Sequence, residues 1–533
     1  MVDMLIRGAS VIDGTGAEPV RTDVRVRGTE IVEVAPGLPA ADDEQVIEAT
    51  GRELLPGFVD VHSHDDAALL RPEGLLPKLS QGVTTTVVGN CGHGCAPSGA
   101  GAALRDYSTP ILGAFPAQRY ERFNDYLDAL DHAELPVDTV ALVPHAPLRS
   151  AVMGMQRRPA EPLELDTIVG LLDDALTAGA AGLSYGLMYA PGNAASRDEL
   201  QAIAATVARS GRLLVAHLRN EADLLDDSLE EFLDLGRATG CSLHVSHLKV
   251  TGRNNFGTMP AVIQKLDAAR AQGLDVSADI YPYDAGSTTA AVLFPSWATD
   301  RGVDSLLQVL RDPTQRDRAL ADMHQAWTGG LENYFHSLGP AQILLAGFTA
   351  EANLGYDGAR LSDIAAERDQ DPAQCLADLM LDEGGEITIV LFQTDIEGMK
   401  AALQWPHTLV GSDGLPREQG YVHPRLFGTF PRVLARYAGP SGVISRHEAV
   451  HRMSGAAAER FAAGPGVIVP GAPASMQLID PASYTDRADF AAPRQLTAGL
   501  EQVFLHGQRV WAAQDDGPNA RSAGQLHRTA ARS

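Results

Sequence analysis

At 533 residues, with 45% hydrophobic and 21% charged residues, the chain has a globular composition and is long enough for one large core with a smaller appended unit. Lys and Arg number 42 against 68 Asp and Glu, a net charge of −26, so no basic surplus exists to neutralise phosphates, and nucleic acid and anionic membrane are excluded as expected partners. Four cysteines are too few for a disulfide scaffold. Together with an N-terminus lacking signal-like regions, and no apolar run near the roughly 20 residues of a membrane span, they predict a cytoplasmic protein.

Residues 1–54 read as short strands at 4–7, 10–12, 24–27 and 31–34, with turns at Asp13-Gly14 and Arg27-Gly28. Alternation such as Asp23-Val24-Arg25-Val26-Arg27 suits a half-buried antiparallel strand, but so few strands cannot bury a face alone. Strand patterns at 467–469, 476–479 and 501–510, with turns at Pro470-Gly471 and His506-Gly507, supply partners. The two ends, 1–54 and 461–522, are expected to pair into one small β-sandwich.

Between them the pattern becomes strand, loop, amphipathic helix, repeated. Strands are expected at 58–61, 83–88, 139–143, 181–185, 212–216, 242–246, 275–280 and 407–411, separated by segments such as 164–178 with apolar residues at helical spacing. Eight such units predict an α/β fold, a TIM-like (β/α)8 barrel over 55–460, with a doubly wound open sheet as the competitor. The rhythm breaks after the seventh strand, where 284–340 is expected to be an insertion forming a lid or pocket wall. Two strand-like runs follow it, 343–345 and 387–392. Residues 523–533 read as a disordered polar tail.

The chemistry gathers at predicted strand ends. In Gly57-Phe58-Val59-Asp60-Val61-His62-Ser63-His64, the two histidines lie two apart and so project from one strand face, half of a metal site. Cys91 follows the second strand in Gly89-Asn90-Cys91-Gly92. His217 closes the fifth strand, His247 closes the sixth, and Asp413 lies just past the last in Ser412-Asp413-Gly414. A barrel enzyme carries its site at the C-terminal ends of its strands, and six candidate ligands or bases fall there. Lys249, two residues past His247, shares its strand face.

These motifs, with His217-Leu218-Arg219-Asn220-Glu221 and Ser246-His247-Leu248-Lys249, occur in an order that resembles the amidohydrolase superfamily, specifically the N-acyl-D-amino-acid deacylases. The resemblance spans nearly the whole chain. It implies hydrolysis of the amide of an N-acyl-D-amino acid, with a small-molecule substrate and Zn2+ as cofactor. Cys91, His217 and His247 would hold the tightly bound zinc, and His62 and His64 a weaker second position. Cys91 stands where related barrels use a carboxylated lysine, and 181–190 contains no lysine. Asp413 corresponds to the catalytic aspartate, while Lys249, Arg425 and Tyr281 correspond to groups that bind the substrate carboxylate. Tyr189, with Tyr185, belongs to a pocket segment.

Two places depart from the family pattern. Gly92-His93-Gly94-Cys95 puts a histidine and a cysteine where an apolar or aromatic residue and a small one are usual, and Pro144-His145 replaces a Gly-His pair. His93 reads as a loop residue or one supporting the ligands, His145 as a substrate donor or strand cap, and His244 as structural. Competing functions are a hydantoinase-like or dipeptidase-like hydrolase, or an inactive barrel serving as an assembly subunit. The sequence leaves the oligomeric state open.

Overall fold

The structure, a computed structural model, describes residues 3–71, 75–98, 103–299, 301–327, 331–513 and 523–530. Its N-terminal strands are β1 (Met4–Val11), β2 (Val20–Arg27), β3 (Glu30–Ala35), β4 (Gln45–Glu48) and β5 (Glu53–Pro56). Seven barrel strands follow: β6 (Phe58–Asp60), β7 (Val83–Val88), β8 (Asp138–Pro144), β9 (Gly182–Gly186), β10 (Leu213–His217), β11 (Ser242–Val245) and β12 (Val276–Ile280). An inserted unit contributes β13 (Gly286–Thr289), β14 (Ile343–Ala346) and β15 (Thr388–Leu391). The chain then returns to the barrel as β16 (Thr408–Val410) and ends in β17 (Met476–Ile479), β18 (Leu500–Leu505) and β19 (Gln508–Ala512).

The eight barrel strands lie in sequence order, all parallel, each within a residue or two of its predicted range. Helices cover their outer face. The helix Pro162–Thr177 shows how: Glu161 and Glu164 form a capping box, proline takes the first position, and Ile168, Leu172, Ala175 and Leu176 face inward at helical spacing. Inside, Val59, Val87, Val140, Val215 and Leu409 fill the lower barrel, and Phe461 plugs its floor.

The ring closes between β6 and β16 with little backbone ladder. Asp413 N–H donates to the His62 carbonyl at 2.7 Å, and a single bridge joins Ser63 to Gly414. A buried side-chain suture replaces the rest. The Asp60 carboxylate accepts from Ser412 N–H at 2.7 Å and from Ser412 Oγ at 2.6 Å. Lys78, fully buried, pairs with Asp60, lies 3.2 Å from Asp65 and donates to Ser412 Oγ at 2.9 Å. Strands β6 and β16 approach so closely that a Cβ on Gly411 would collide with that of His62.

The two chain ends share one sheet in the order β19-β18-β17-β5-β1-β2-β3, with β4 beside β1. Strand β5 joins them, parallel to β1 and antiparallel to β17, around a core that includes Ile6, Val24, Leu54, Met476 and Phe504. Residues 4–7 and 10–12, expected as two strands, form one, with a register shift between Ile6 and Ala9. Strands β4 and β5 were not anticipated, and 467–469 forms no strand. Such four-residue segments are decided by the neighbour they pair with rather than by their own pattern.

The inserted unit is larger than expected. It does not end at 340, because β15 is the central strand between β13 and β14, and the unit is complete only when the chain supplies that strand. The tail also departs from expectation. Residues 523–530 are docked on the barrel floor, Leu526 bridging Thr139, and Arg528 pairing with Asp128 at 2.6 Å. Unpaired edge groups of β8 and surface carboxylates supply what a polar segment lacks on its own; residues 531–533 lie outside the described residues. No helix among the described residues is long and apolar enough to cross a membrane.

Replacing Lys78 by Met leaves two buried carboxylates unpaired and is expected to cost about 3–5 kcal/mol of stability, read as a lower urea midpoint. Deleting 523–533 should lower the melting temperature by about 2–4 °C in a calorimetric scan while leaving turnover unchanged.

Candidate metal centre and active site

Alternation past β6 carries Asp60, His62 and His64 on one face, while Ser63 points the other way and donates to the Val87 carbonyl at 2.8 Å. Beyond β7 the chain must turn sharply. Gly89 is left-handed (φ 82°), and a Cβ there would collide with the Leu142 carbonyl. Cys91 (φ 52°), His247 (φ 37°) and Asp413 (φ 49°) are themselves left-handed, a costly conformation for residues with side chains. Each lies just past a strand end, where the turn aims its side chain into the barrel mouth.

The predicted ligands converge. Cys91 Sγ lies 3.2 Å from His62 Nε2 and 3.4 Å from His247 Nε2, and the His217 and His247 rings are 4.4 Å apart. His64 Nε2 is 3.1 Å, and His62 Nε2 3.5 Å, from Asp413 Oδ1. Three overlapping groups could each hold an ion: His62, Cys91 and His247; His62, His64 and Asp413; His217, Glu221 and His247. Cys91 is thus as close to His62 as to His247, so the two expected positions share donors.

Both ring nitrogens of His217 and Nδ1 of His64 are buried without a hydrogen-bond partner, which is costly for polar atoms unless something else satisfies them. Burial raises the Cys91 thiol, but the His62 and His247 imidazoles outweigh it and hold the thiol well below its ordinary range. A thiolate, four imidazoles and a carboxylate around one point form a donor set that fits zinc.

Carboxylates behind the histidines set their orientation. Asp279, on β12, lies 3.1 Å from His62 Nδ1 and 3.0 Å from His244 Nε2, and accepts from the His247 backbone N–H at 2.8 Å. Glu221 lies 3.1 Å from His247 Nδ1 and 3.6 Å from His217 Nε2. Burial would raise both carboxyls, yet His62 holds Asp279 well below the carboxylate range, and Lys249, with His217 and His247, brings Glu221 down to about 2. Neither role was read from the sequence. Glu221 ends the His217-Leu218-Arg219-Asn220-Glu221 motif, four residues past His217, and Asp279 lies two residues before Tyr281 and so shares its strand face.

The cations are engaged. Lys249 Nζ lies 2.6 Å from Glu221, and Arg425 Nη1 lies 2.8 Å from Asp413 Oδ2 while its Nη2 donates to the Ser287 carbonyl at 3.0 Å. The Arg425 guanidinium also sits 4.7 Å above the Tyr281 ring, and its Nε has no partner. Burial would raise the Asp413 carboxyl, but Arg425, then His62 and His64, hold it far below the carboxylate range.

One pocket is lined by His64, Cys91, His217, His247, Lys249, Tyr281, Asp413 and Arg425, together with Tyr189, whose hydroxyl lies 3.1 Å from Thr288 Oγ1. The inserted unit roofs it with Tyr334 and Leu391. Glu332, beside Tyr334, accepts from the Glu221 backbone N–H at 3.3 Å and is pushed up to about 7 by burial.

Other residues lie apart. Tyr185 donates to the Leu200 carbonyl and packs in the core, His145 pairs with Glu199 at 2.9 Å, and His244 sits below the site against Phe461. Cys95 is buried outside this pocket, whereas His93 lines it.

The family model described as "Amidohydrolase family" matches residues 45–511. A D-aminoacylase of Alcaligenes xylosoxydans xylosoxydans is 34% identical over 99% of this chain and 98% of its own length. The crystal structure of N-acyl-D-glutamate deacylase from Bordetella bronchiseptica, complexed with zinc and a phosphonate inhibitor, superposes with a TM-score of 0.82 at 33% identity, covering 99% of this chain and 100% of that one. A D-hydantoinase from Thermus sp., at 16% identity and a TM-score of 0.52 over 99% of both chains, shares the fold alone. With its cysteine and histidines converging at the barrel mouth and near full-length likeness to these deacylases, the chain belongs to the amidohydrolase family, in its D-aminoacylase group.

Proposed function

We propose that this protein is a zinc-dependent hydrolase that cleaves the amide bond of N-acyl-D-amino acids, releasing a carboxylate and a free D-amino acid. The observation that carries the reading is the convergence of Cys91, His62, His64, His217, His247 and Asp413 at the barrel mouth, beside a pocket that two buried cations, Lys249 and Arg425, also line. The D preference and the linear amide follow from likeness to the D-aminoacylase and the D-glutamate deacylase.

In this reading Cys91, His217 and His247 hold the zinc, and His62 and His64 form the weaker second position, sharing Cys91. The chemistry supplied by bound zinc is Lewis acidity, which polarises the scissile carbonyl and eases deprotonation of a neighbouring water. Asp413, kept ionised by Arg425, starts as a proton acceptor. It takes the proton from the attacking water and returns it to the leaving amine nitrogen. Arg425, Lys249 and Tyr281 receive the substrate's α-carboxylate, the unpartnered Nε of Arg425 offering a free N–H. Glu221 keeps Lys249 charged in a buried setting, and Tyr189 walls the pocket beside His217, its ring packed edge-on 5.0 Å from that imidazole.

Purified protein should hydrolyse N-acetyl-D-leucine and leave the L enantiomer nearly untouched. Chelation should abolish turnover and added zinc restore it; metal-indifferent activity or an L preference would sink the reading. In Cys91→Ala, zinc content measured by mass spectrometry should fall together with activity. Asp413→Asn should lower kcat by about 10²–10⁴-fold with zinc content retained.

A further inference from the structure

The proposed reaction uses the centre of the pocket and one of its sides, leaving His93 unassigned. His93 is 1% exposed, lines the pocket and packs edge-on against Tyr189, with ring centroids 4.7 Å apart. Its Nδ1 lies 3.1 Å from Ser108 Oγ on the buried side of the helix Ala103–Leu112, and Tyr107 of that helix stacks on the ring. The imidazole is thereby held from behind. Its other nitrogen, Nε2, is buried with no hydrogen-bond partner. A polar atom fixed in that state is costly to the free protein, and a ligand atom that meets it recovers the cost.

Barrel order shows which part of a substrate arrives there. Counting round the ring, His93 follows β7, the second strand, whereas Lys249 follows β11 and Tyr281 follows β12, the sixth and seventh. Second and sixth strands face each other across an eight-stranded ring. Arg425 reaches the same side as Tyr281, lying over its ring. An N-acyl amino acid is linear through its carboxylate, α-carbon, nitrogen, scissile carbonyl and acyl group. With the carboxylate on the β11–β12 side and the carbonyl at the Cys91 and histidine cluster, the acyl group points toward β7. The D side chain branches from the α-carbon and stays nearer the anchoring cations.

We propose that His93 is the specificity-determining residue of an acyl subsite on the β7 side, where its unpartnered Nε2 hydrogen-bonds a short polar acyl group such as a hydroxyacyl. The inference rests on the deacylase reading. A hydroxyl suits either tautomer of the ring, since it can donate to a bare Nε2 or accept from a protonated one. Ile111, on the same helix and also in the pocket wall, gives that end an apolar surface beside the imidazole.

The test compares N-glycolyl-D-leucine with N-propionyl-D-leucine, nearly isosteric substrates that differ by a hydroxyl in place of a methyl. Intrinsic reactivity is cancelled by comparing the kcat/KM ratio between enzymes. The glycolyl-to-propionyl ratio should fall about tenfold in His93→Leu, with zinc content and the far-ultraviolet circular dichroism spectrum unchanged. His93→Gln, which keeps a donor and an acceptor, should retain part of the preference. Competitive inhibition by free glycolate relative to propionate should weaken in parallel, giving a binding readout independent of turnover. An unchanged ratio in His93→Leu overturns the assignment. So does an equal loss on both substrates accompanied by loss of zinc, which would make His93 a metal ligand instead. Wild-type protein that cleaves neither these substrates nor N-acetyl-D-leucine defeats the deacylase reading, and the acyl subsite with it.

Discussion

A parallel barrel has to close somewhere, and in this protein the closure is made by buried charge more than by backbone pairing. Asp60 takes both the N–H and the hydroxyl of Ser412, and Lys78 neutralises it from beneath. Because β6 and β16 are only three residues long, few ladder bonds are available to fix their offset. The carboxylate fixes it instead. That offset decides whether His62 and His64 face Asp413, since a slip of one residue would turn each side chain to the opposite face.

Above the suture the site is assembled from charges that each have a partner before any ligand arrives. Asp279 backs His62, Glu221 backs Lys249 and His247, and Arg425 backs Asp413. Buried charges are tolerated only when paired in this way. The pairing also leaves a defined remainder: unsatisfied imidazole nitrogens around a thiolate, which is a demand for a cation. Left-handed backbone at Cys91, His247 and Asp413 is the conformational cost of bringing three strand ends to one point.

The inserted unit gives this rigid mouth a roof. Its three strands come from separate segments between residues 286 and 391, and they pack on an apolar core that includes Leu306, Leu345, Leu376 and Ile389 and runs on into Leu104, Ile111 and Tyr189 of the barrel loops. Contacts such as Glu332 to the Glu221 backbone tie the roof to the strand ends carrying the candidate ligands.

Much of the arrangement was legible in the chain itself. Seven of the eight barrel strands were marked by apolar runs with β-branched residues, the fourth (Ala181-Gly182-Leu183-Ser184-Tyr185) by Leu183 and Tyr185 instead, and the candidate ligands stood at strand C-terminal ends, because period-two alternation and strand-end placement are local properties. What remained hidden was pairing. Four-residue strands β4 and β5, the central place of β15 in the insertion, the docked segment 523–530 and the partners chosen by Asp60, Glu221 and Asp279 all depend on groups from distant parts of the chain. Residue type and spacing thus determined what the barrel mouth is made of. Only the tertiary structure decided which charge meets which, since a buried carboxylate is defined by the cation that happens to face it, and no local pattern records that encounter.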